Sequence, residues 1–338
     1  MAADIDLKSS QKNDLQDPLF SVIITNFNYG SFLRQAMDSV LQQTYRNFEL
    51  IVVDDGSSDD SLAIIDSYGD VVAKVAQKNS GMSAARNAGF DRSSGQLVSF
   101  LDADDFYHPE RLATIVQAFE THPEWTMLSH LWLTVDRNGQ IVGQSTSNIL
   151  STGDVRPLLL KWGKYASGIT SSLAFRRSAL EKVMPVSGNM GIDSYVNATL
   201  PFYGEIGGIN EPLMFYRIHG NNARARSTDL SRLIGQREAI ASFINQAAEC
   251  QGLRERFDLG NDADYQAYKN IERDTASLAC AARMLWLSIR ESIAIRRSRR
   301  DFIIRLMTRL SCAFPAQGRA VLEHGLRGYL RLKLDRNR

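Results

Sequence analysis

Asp102 and Asp104 stand one residue apart, directly after the apolar run Val98 to Leu101, a spacing that sets two carboxylates close together at the mouth of a strand. Adjacent anions require a cation. A few oxygen ligands of this kind suit Mg²⁺ or Mn²⁺, which keep their remaining positions for water and substrate phosphates. Taken alone, an Asp-x-Asp also serves as a solvated acidic turn or as a cap for the segment after Pro109. Two further apolar runs end in polar residues: Phe20 to Thr25 in Asn26-Phe27-Asn28, and Leu50 to Val53 in Asp54-Asp55-Gly56-Ser57. Asn or Asp at such ends can hydrogen-bond the imide edge of a base or ribose hydroxyls, while Gly56 lets the backbone turn sharply. Asp-Asp-Gly-Ser by itself is equally a good turn. Arg86, shortly after Asn79-Ser80-Gly81, is placed to neutralise a phosphate. Neither G-x-G-x-x-G nor G-x-x-x-x-G-K-[ST] occurs. Their absence disfavours a dinucleotide dehydrogenase or a P-loop enzyme, so that a diphosphate would rely on a metal and on side chains.

The elements that must carry these residues follow from the alternation of short apolar runs with amphipathic stretches. Phe20 to Thr25, Phe48 to Val53, Val71 to Ala76 and Gln96 to Leu101 read as strands; Phe32 to Gln43, Ser61 to Tyr68, Ser83 to Phe90 and Pro109 to Glu120 read as helices, the last opened by proline in its first turn. This pattern predicts an α/β protein, a mainly parallel sheet covered on both faces, with its ligand beyond the carboxyl ends of the strands. All three polar ends then open onto one crevice. After Trp125 the pattern changes. Thr126 to Val135 reads as a strand before a tight hairpin at Arg137 to Gln140, Ser171 to Phe175 as a strand before a helix from Ser178, and Asp193 to Leu200 as a helix that Asp193 could cap. Ile206 to Tyr216 reads as strand, turn and strand around Pro212. A boundary is expected near Ser227, dividing residues 18–227 from a helical region, 228–338, made of Asp229 to Ala248, Asp262 to Ile295, Asp301 to Phe314 and a segment after Gln317.

The 338 residues leave room for one large α/β domain and an appendage, and 44% hydrophobic with 23% charged residues is ordinary for a globular protein. Cys250, Cys280 and Cys312 are widely spaced and form no C-x-x-C pair, which fits a reduced, cytosolic setting without a zinc or redox site. Met1 to Asp17 lacks the pattern of a secretory signal and reads as a loose tail. The net charge of +1 hides an asymmetry: from Arg283 to the C-terminus there are 14 Lys and Arg against 4 acids. Arg296 to Leu310 mixes arginines with Phe302, Ile303, Leu306 and Met307 in the manner of an interfacial helix. The expectation is either peripheral contact with the cytoplasmic face of a membrane or packing against the catalytic domain or a second subunit. Nothing in it matches a nucleic-acid-binding motif.

With these residues in order, five blocks resemble glycosyltransferase family 2, whose members have the GT-A fold, a Rossmann-like mixed sheet flanked by helices. The blocks are Ser21 to Asn28, Ser39 to Tyr45, Phe48 to Ser57, Asn79 to Gly89 and Phe100 to Asp105. The resemblance implies that Thr25 and Asn28 lie by the base, that Asp54 or Asp55 contacts uracil or ribose, and that Asp102 and Asp104 hold a divalent metal and the donor sugar. It also implies a nucleotide-diphospho-sugar donor, usually a uridine one, a glycan or lipid-linked acceptor, and inversion at the anomeric carbon. Where the family usually has Glu-Asp ahead of a helix, this chain has Ile192-Asp193. Asp193 then keeps the role of catalytic base, while an accessory contact at Ile192 is in doubt. Phe215 to Asn222 is similar to the family's Tyr-Arg-x-His segment, implying that His219 joins the metal shell or touches a phosphate. Competing classes are a non-catalytic nucleotide-sugar scaffold and a sugar nucleotidyltransferase; the latter usually opens with a glycine-rich basic loop that Asn26 to Gly30 does not resemble.

Overall fold

The computed structural model describes residues 17–145, 149–186, 191–220 and 228–336. The expected N-terminal tail, apart from Asp17, and the boundary residue Ser227 lie outside them, as do Asn221 and Asn222. The apolar residues Phe20, Val22, Ile23 and Ile24 make the first strand, β1 (Phe20–Asn26), a core strand on both faces: Phe20, Val22 and Ile24 enter one core and Ile23 the other. Helix α1 (Gly30–Leu41) buries Leu33, Ala36, Met37 and Val40 at helical spacing. Then follow β2 (Phe48–Asp54), α2 (Ser61–Asp66), β3 (Ala73–Ala76), α3 (Met82–Arg92) and β4 (Leu97–Asp102). The four strands pair in parallel in the order β3-β2-β1-β4. Each fully buried Ile, Val or Phe in them contributes about 1.5–3 kcal/mol. Close approach sets one requirement: a Cβ on Gly89 of α3 would stand 2.3 Å from Ile23 Cγ2.

The sheet continues through a two-residue strand, β5 (Phe106–Tyr107), helix α4 (Arg111–Thr121), the long strand β6 (Trp125–Val135) and β7 (Ile141–Gln144). Helix α5 (Arg156–Trp162), a 3₁₀ turn at Thr170–Ser172, β8 (Leu173–Arg176), α6 (Arg177–Leu180), α7 (Ile192–Thr199) and β9 (Glu205–Arg217) complete it. Beyond β4 the order is β8-β6-β9-β5, with β7 on β6; β8 runs antiparallel to both neighbours and β9 parallel to β6. One face packs against α1, α2 and α4, the other against α3, α5, α7 and the next helix, α8 (Leu230–Cys250), which contributes Ile240, Ile244 and Ala248.

Helices α9 (Ala263–Arg273), α10 (Leu278–Ala294), α11 (Arg299–Ser311) and α12 (Pro315–Arg336) follow. Their own apolar core is small, built on Ala267, Ile271, Met284 and Cys312. Much of what joins them to the sheet-bearing body is ionic. Lys164 reaches Asp262 at 3.0 Å and Asp264 at 2.6 Å, and Arg237 also holds Asp262; among the C-terminal helices themselves, Arg309 holds Asp264 at 2.7 Å and Glu291 at 3.0 Å, and Arg297 lies between Glu291 and Asp301.

Several boundaries differ from expectation for local reasons. Helix α4 starts at Arg111, after N-cap Glu110, because the Pro109 carbonyl is turned outward to accept the Thr44 N–H. Ile206 to Tyr216 is one continuous strand rather than a hairpin: Pro212, which cannot donate to a ladder, sits where the β6–β9 register shifts. The single helix expected over Asp262 to Ile295 breaks at Asp274, a left-handed residue with φ 54°. The hairpin after Val135 spans five residues, with the Asp136 carboxylate accepting the N–H groups of Asn138 and Gln140 and Gly139 at φ 84°. Helix α7 is capped by Gly191, so Asp193 lies in its first turn and is not its N-cap.

Candidate active site

The parallel strands β1, β2 and β4 end side by side, Asn26 level with Asp54 and Thr25 level with Asp102. Beyond them opens a cavity of about 330 Å³ whose wall includes Thr25, Asp55, Arg86, Asp102, Asp104 and Tyr216. This is the crevice expected at the carboxyl ends of a parallel sheet.

On the β1–β2 side the turn is held by its own polar groups. Asp54 accepts from Asn26 Nδ2 at 2.8 Å, from Ser57 Oγ at 2.6 Å and from the Ser57 N–H at 2.9 Å. Asn28, at φ 60°, accepts the Ser58 N–H at 2.8 Å, and Gly56 takes φ 78°, where a Cβ would meet Asn79 N at 2.7 Å. Asp54 and Asn28 therefore shape the turn and are not part of the cavity wall, unlike Thr25 and Asp55. Asp55 in turn accepts the N–H groups of Ser80 and Gly81, tying β2 to the start of α3.

That tie places Arg86 one turn into α3, 1% exposed and within the cavity wall. Its Nη2 lies 2.8 Å from Asp102 Oδ1, and its Nε and Nη1 have no hydrogen-bond partner. Leaving charged donors buried without acceptors is costly, so this guanidinium is organised for an anion.

Asp102 and Asp104 stand in the same cavity wall as Arg86, with Asp105 buried next to them. Burial, and then the charge of Asp102, raises the Asp104 carboxyl above its usual value. Asp105 is raised well above it by complete burial and by both neighbours. His219 Nε2 lies 3.0 Å from Asp104 Oδ2, and its ring packs on Tyr29 and Phe32. The family resemblance implied a metal held by Asp102 and Asp104, with His219 joining its shell or touching a phosphate. Among the described residues no three His, Cys, Asp or Glu side chains converge as ligands: Arg86 holds Asp102, while His219 pairs with Asp104. The carboxylates of Asp102 and Asp104, with the His219 imidazole against Asp104, are nevertheless of a chemistry that fits Mn²⁺ or Mg²⁺ where substrate oxygens supply further ligands.

Two residues that the motifs did not single out, Ser171 and Arg217, hold this acidic loop through Asp105. Ser171 Oγ donates to Asp105 Oδ2 at 2.7 Å and accepts the Asp102 N–H at 3.2 Å. The Arg217 N–H donates to Asp105 Oδ1 at 3.0 Å, and its side chain reaches the Asp104 carbonyl at 2.9 Å and Gln35 Oε1 at 2.6 Å. Asp105 and Arg217 lay inside quoted motifs, but nothing local marks Ser171. Asp193 is buried in the first turn of α7, two residues from Gly191 in the cavity wall, while Ile192 fills the core with Val196.

This is the GT-A fold. The staphylococcal TarS segment 1–349 superposes with a TM-score of 0.54 at 16% identity, covering 92% of this chain and 88% of that one. The same segment in complex with UDP-GlcNAc gives 0.53. Residues 21–184 match the model of glycosyl transferase family 2. An uncharacterised glycosyltransferase of Nostoc is 35% identical over 267 residues, 75% of this chain and 83% of the relative. GlyA of Streptococcus pneumoniae is 27% identical over 225 residues, but these cover 60% of this chain and 31% of the relative. The chain belongs to glycosyl transferase family 2 and is a glycosyltransferase.

Proposed function

We propose that this enzyme transfers a sugar, with inversion, from a uridine diphosphate donor to a hydroxyl of a saccharide or lipid-linked acceptor, in the building of a cell-surface glycan. The observation that carries the donor reading is Arg86, buried in the cavity wall with two of its guanidinium nitrogens unpartnered. The donor phosphates supply the acceptors it lacks, Thr25 and Asp55 face the nucleoside, and Asn28 and Asp54 keep that turn in shape. The choice of uridine is supported by TarS, whose likeness to this chain extends to a structure with UDP-GlcNAc. Asp102 and Asp104, with His219 beside them, would hold Mn²⁺ or Mg²⁺, whose charge would stabilise the departing diphosphate. Asp193 takes the proton of the acceptor hydroxyl, and a base acting opposite the leaving group gives inversion. This reading assigns catalysis to residues 18–227, with 228–338 as a helical region set against them.

Calorimetric titration with uridine, guanosine, cytidine and thymidine diphosphates, each with and without Mn²⁺, tests it. Metal-dependent binding of the uridine compound alone is the expected result, weakened about tenfold to a hundredfold in Arg86→Ala, the range for a lost charged hydrogen bond. Preference for another base overturns the uridine assignment, and unchanged affinity in Arg86→Ala removes the phosphate role.

A further inference from the structure

Helix α11 is turned inside out. The residues it buries are Asp301 and Arg309, while Ile303, Ile304 and Met307 face outward, Ile303 at 57% exposure. Helix α10 buries Met284 and Leu287 but also Glu291, and it leaves Trp286 and Ile293 exposed, the latter at 72%. The cause is what lies beneath: the inner faces meet the charges of Lys164 and Asp264, so carboxylates and Arg309 turn inward. Charges are sorted by sign as well. Glu291 and Asp301 are buried, whereas Arg283, Arg290, Arg296, Arg299 and Arg300 are exposed; from 283 to 333 Glu323 is the one exposed acid among the described residues. Arg290 lies over the Trp286 ring, 5.4 Å from its centroid.

We propose that α10 and α11 dock on the surface of an anionic lipid bilayer, their aliphatic side chains and Trp286 entering the acyl boundary and the arginines meeting headgroup phosphates. Charge selects this occupant. A second copy joined by a two-fold axis would set the arginine rim against itself, and a nucleic acid would pair the arginines but leave Ile293, Ile303, Ile304 and Met307 unused. No described helix is long and apolar enough to cross a membrane, so the contact is one of lying on the surface. The proposal stands independently of the donor reading.

Flotation of the full-length protein with vesicles of phosphatidylcholine plus phosphatidylglycerol, and of phosphatidylcholine alone, tests it. Binding is expected to the anionic vesicles and to be weaker by about tenfold or more on neutral ones. Arg299→Glu with Arg300→Glu weakens it by at least about fivefold per charge. Ile303→Ser with Met307→Ser weakens it by about tenfold or more, and neither pair, being exposed, shifts thermal unfolding. No binding to anionic vesicles, or full binding in the Ile303→Ser and Met307→Ser variant, would overturn the proposal. A wild-type dimer abolished by that variant would also overturn it, assigning the face to a second copy.

Discussion

Asp105 shows how much of a site can be support. It lies beside the two acids proposed to hold the metal, yet its oxygens are taken by Ser171 and the Arg217 N–H, and through Ser171 it reaches the Asp102 backbone. Ser171→Ala strips a partner from the buried Asp105 carboxyl and from the Asp102 N–H, so unfolding free energy by denaturant should fall by about 1–3 kcal/mol. Asp193 makes a different demand. Asp193→Asn keeps the shape and removes the basicity, so turnover should drop about a hundredfold to ten-thousandfold with donor affinity unchanged by calorimetry; near-normal turnover would end its assignment as the base. Legibility divides along the same line. Asp102 and Asp104 stood out as polar residues ending an apolar run, and Arg86 by following Asn79-Ser80-Gly81, but the short Asp-x-Asp gained its meaning from the ordered blocks around it and not from its own spacing. Ser171 could not stand out, since its meaning arises only when Thr170–Ser172 folds against a strand end 69 residues away.

At the scale of elements, the attachment of α9, α10 and α11 sets the response to acid. Burial alone would raise the Asp262 carboxyl, but Lys164 and then Arg237 hold it below its usual value; Asp264, against the same burial, is held well below it by Arg309 and then Lys164. A carboxyl whose folded value is depressed stabilises fully above its unfolded value, about 4, and loses that contribution as pH falls through the folded one. The melting temperature should therefore vary little through these groups down to about pH 4 and decline below it. Arg309→Met leaves Glu291 and Asp264 short of a buried partner and should cost about 3–5 kcal/mol at neutral pH, measured by denaturant unfolding; a loss under about 1 kcal/mol would show that the remaining bases compensate. The basic, apolar composition of α11 was readable as amphipathic, but which face it buries was not. That depends on Lys164, Asp264 and Glu291, which periodicity within α11 does not contain.

At the scale of the molecule, the parallel half of the sheet was legible because β1, β2 and β4 are short, largely apolar runs bounded by turn residues. The second half was less so: β9 crosses Pro212 without stopping, and β5 is two residues long. Yet it is this half that finishes the cavity. Strand β9 lies between β6 and β5, and its last residue, Arg217, fixes the acidic loop that follows β4. Residues 21–184, which match the family model, include neither Arg217 nor His219. During synthesis, then, the stretch that matches the family model is complete before residue 217, which holds the acidic loop, has been made and can be placed in the sheet.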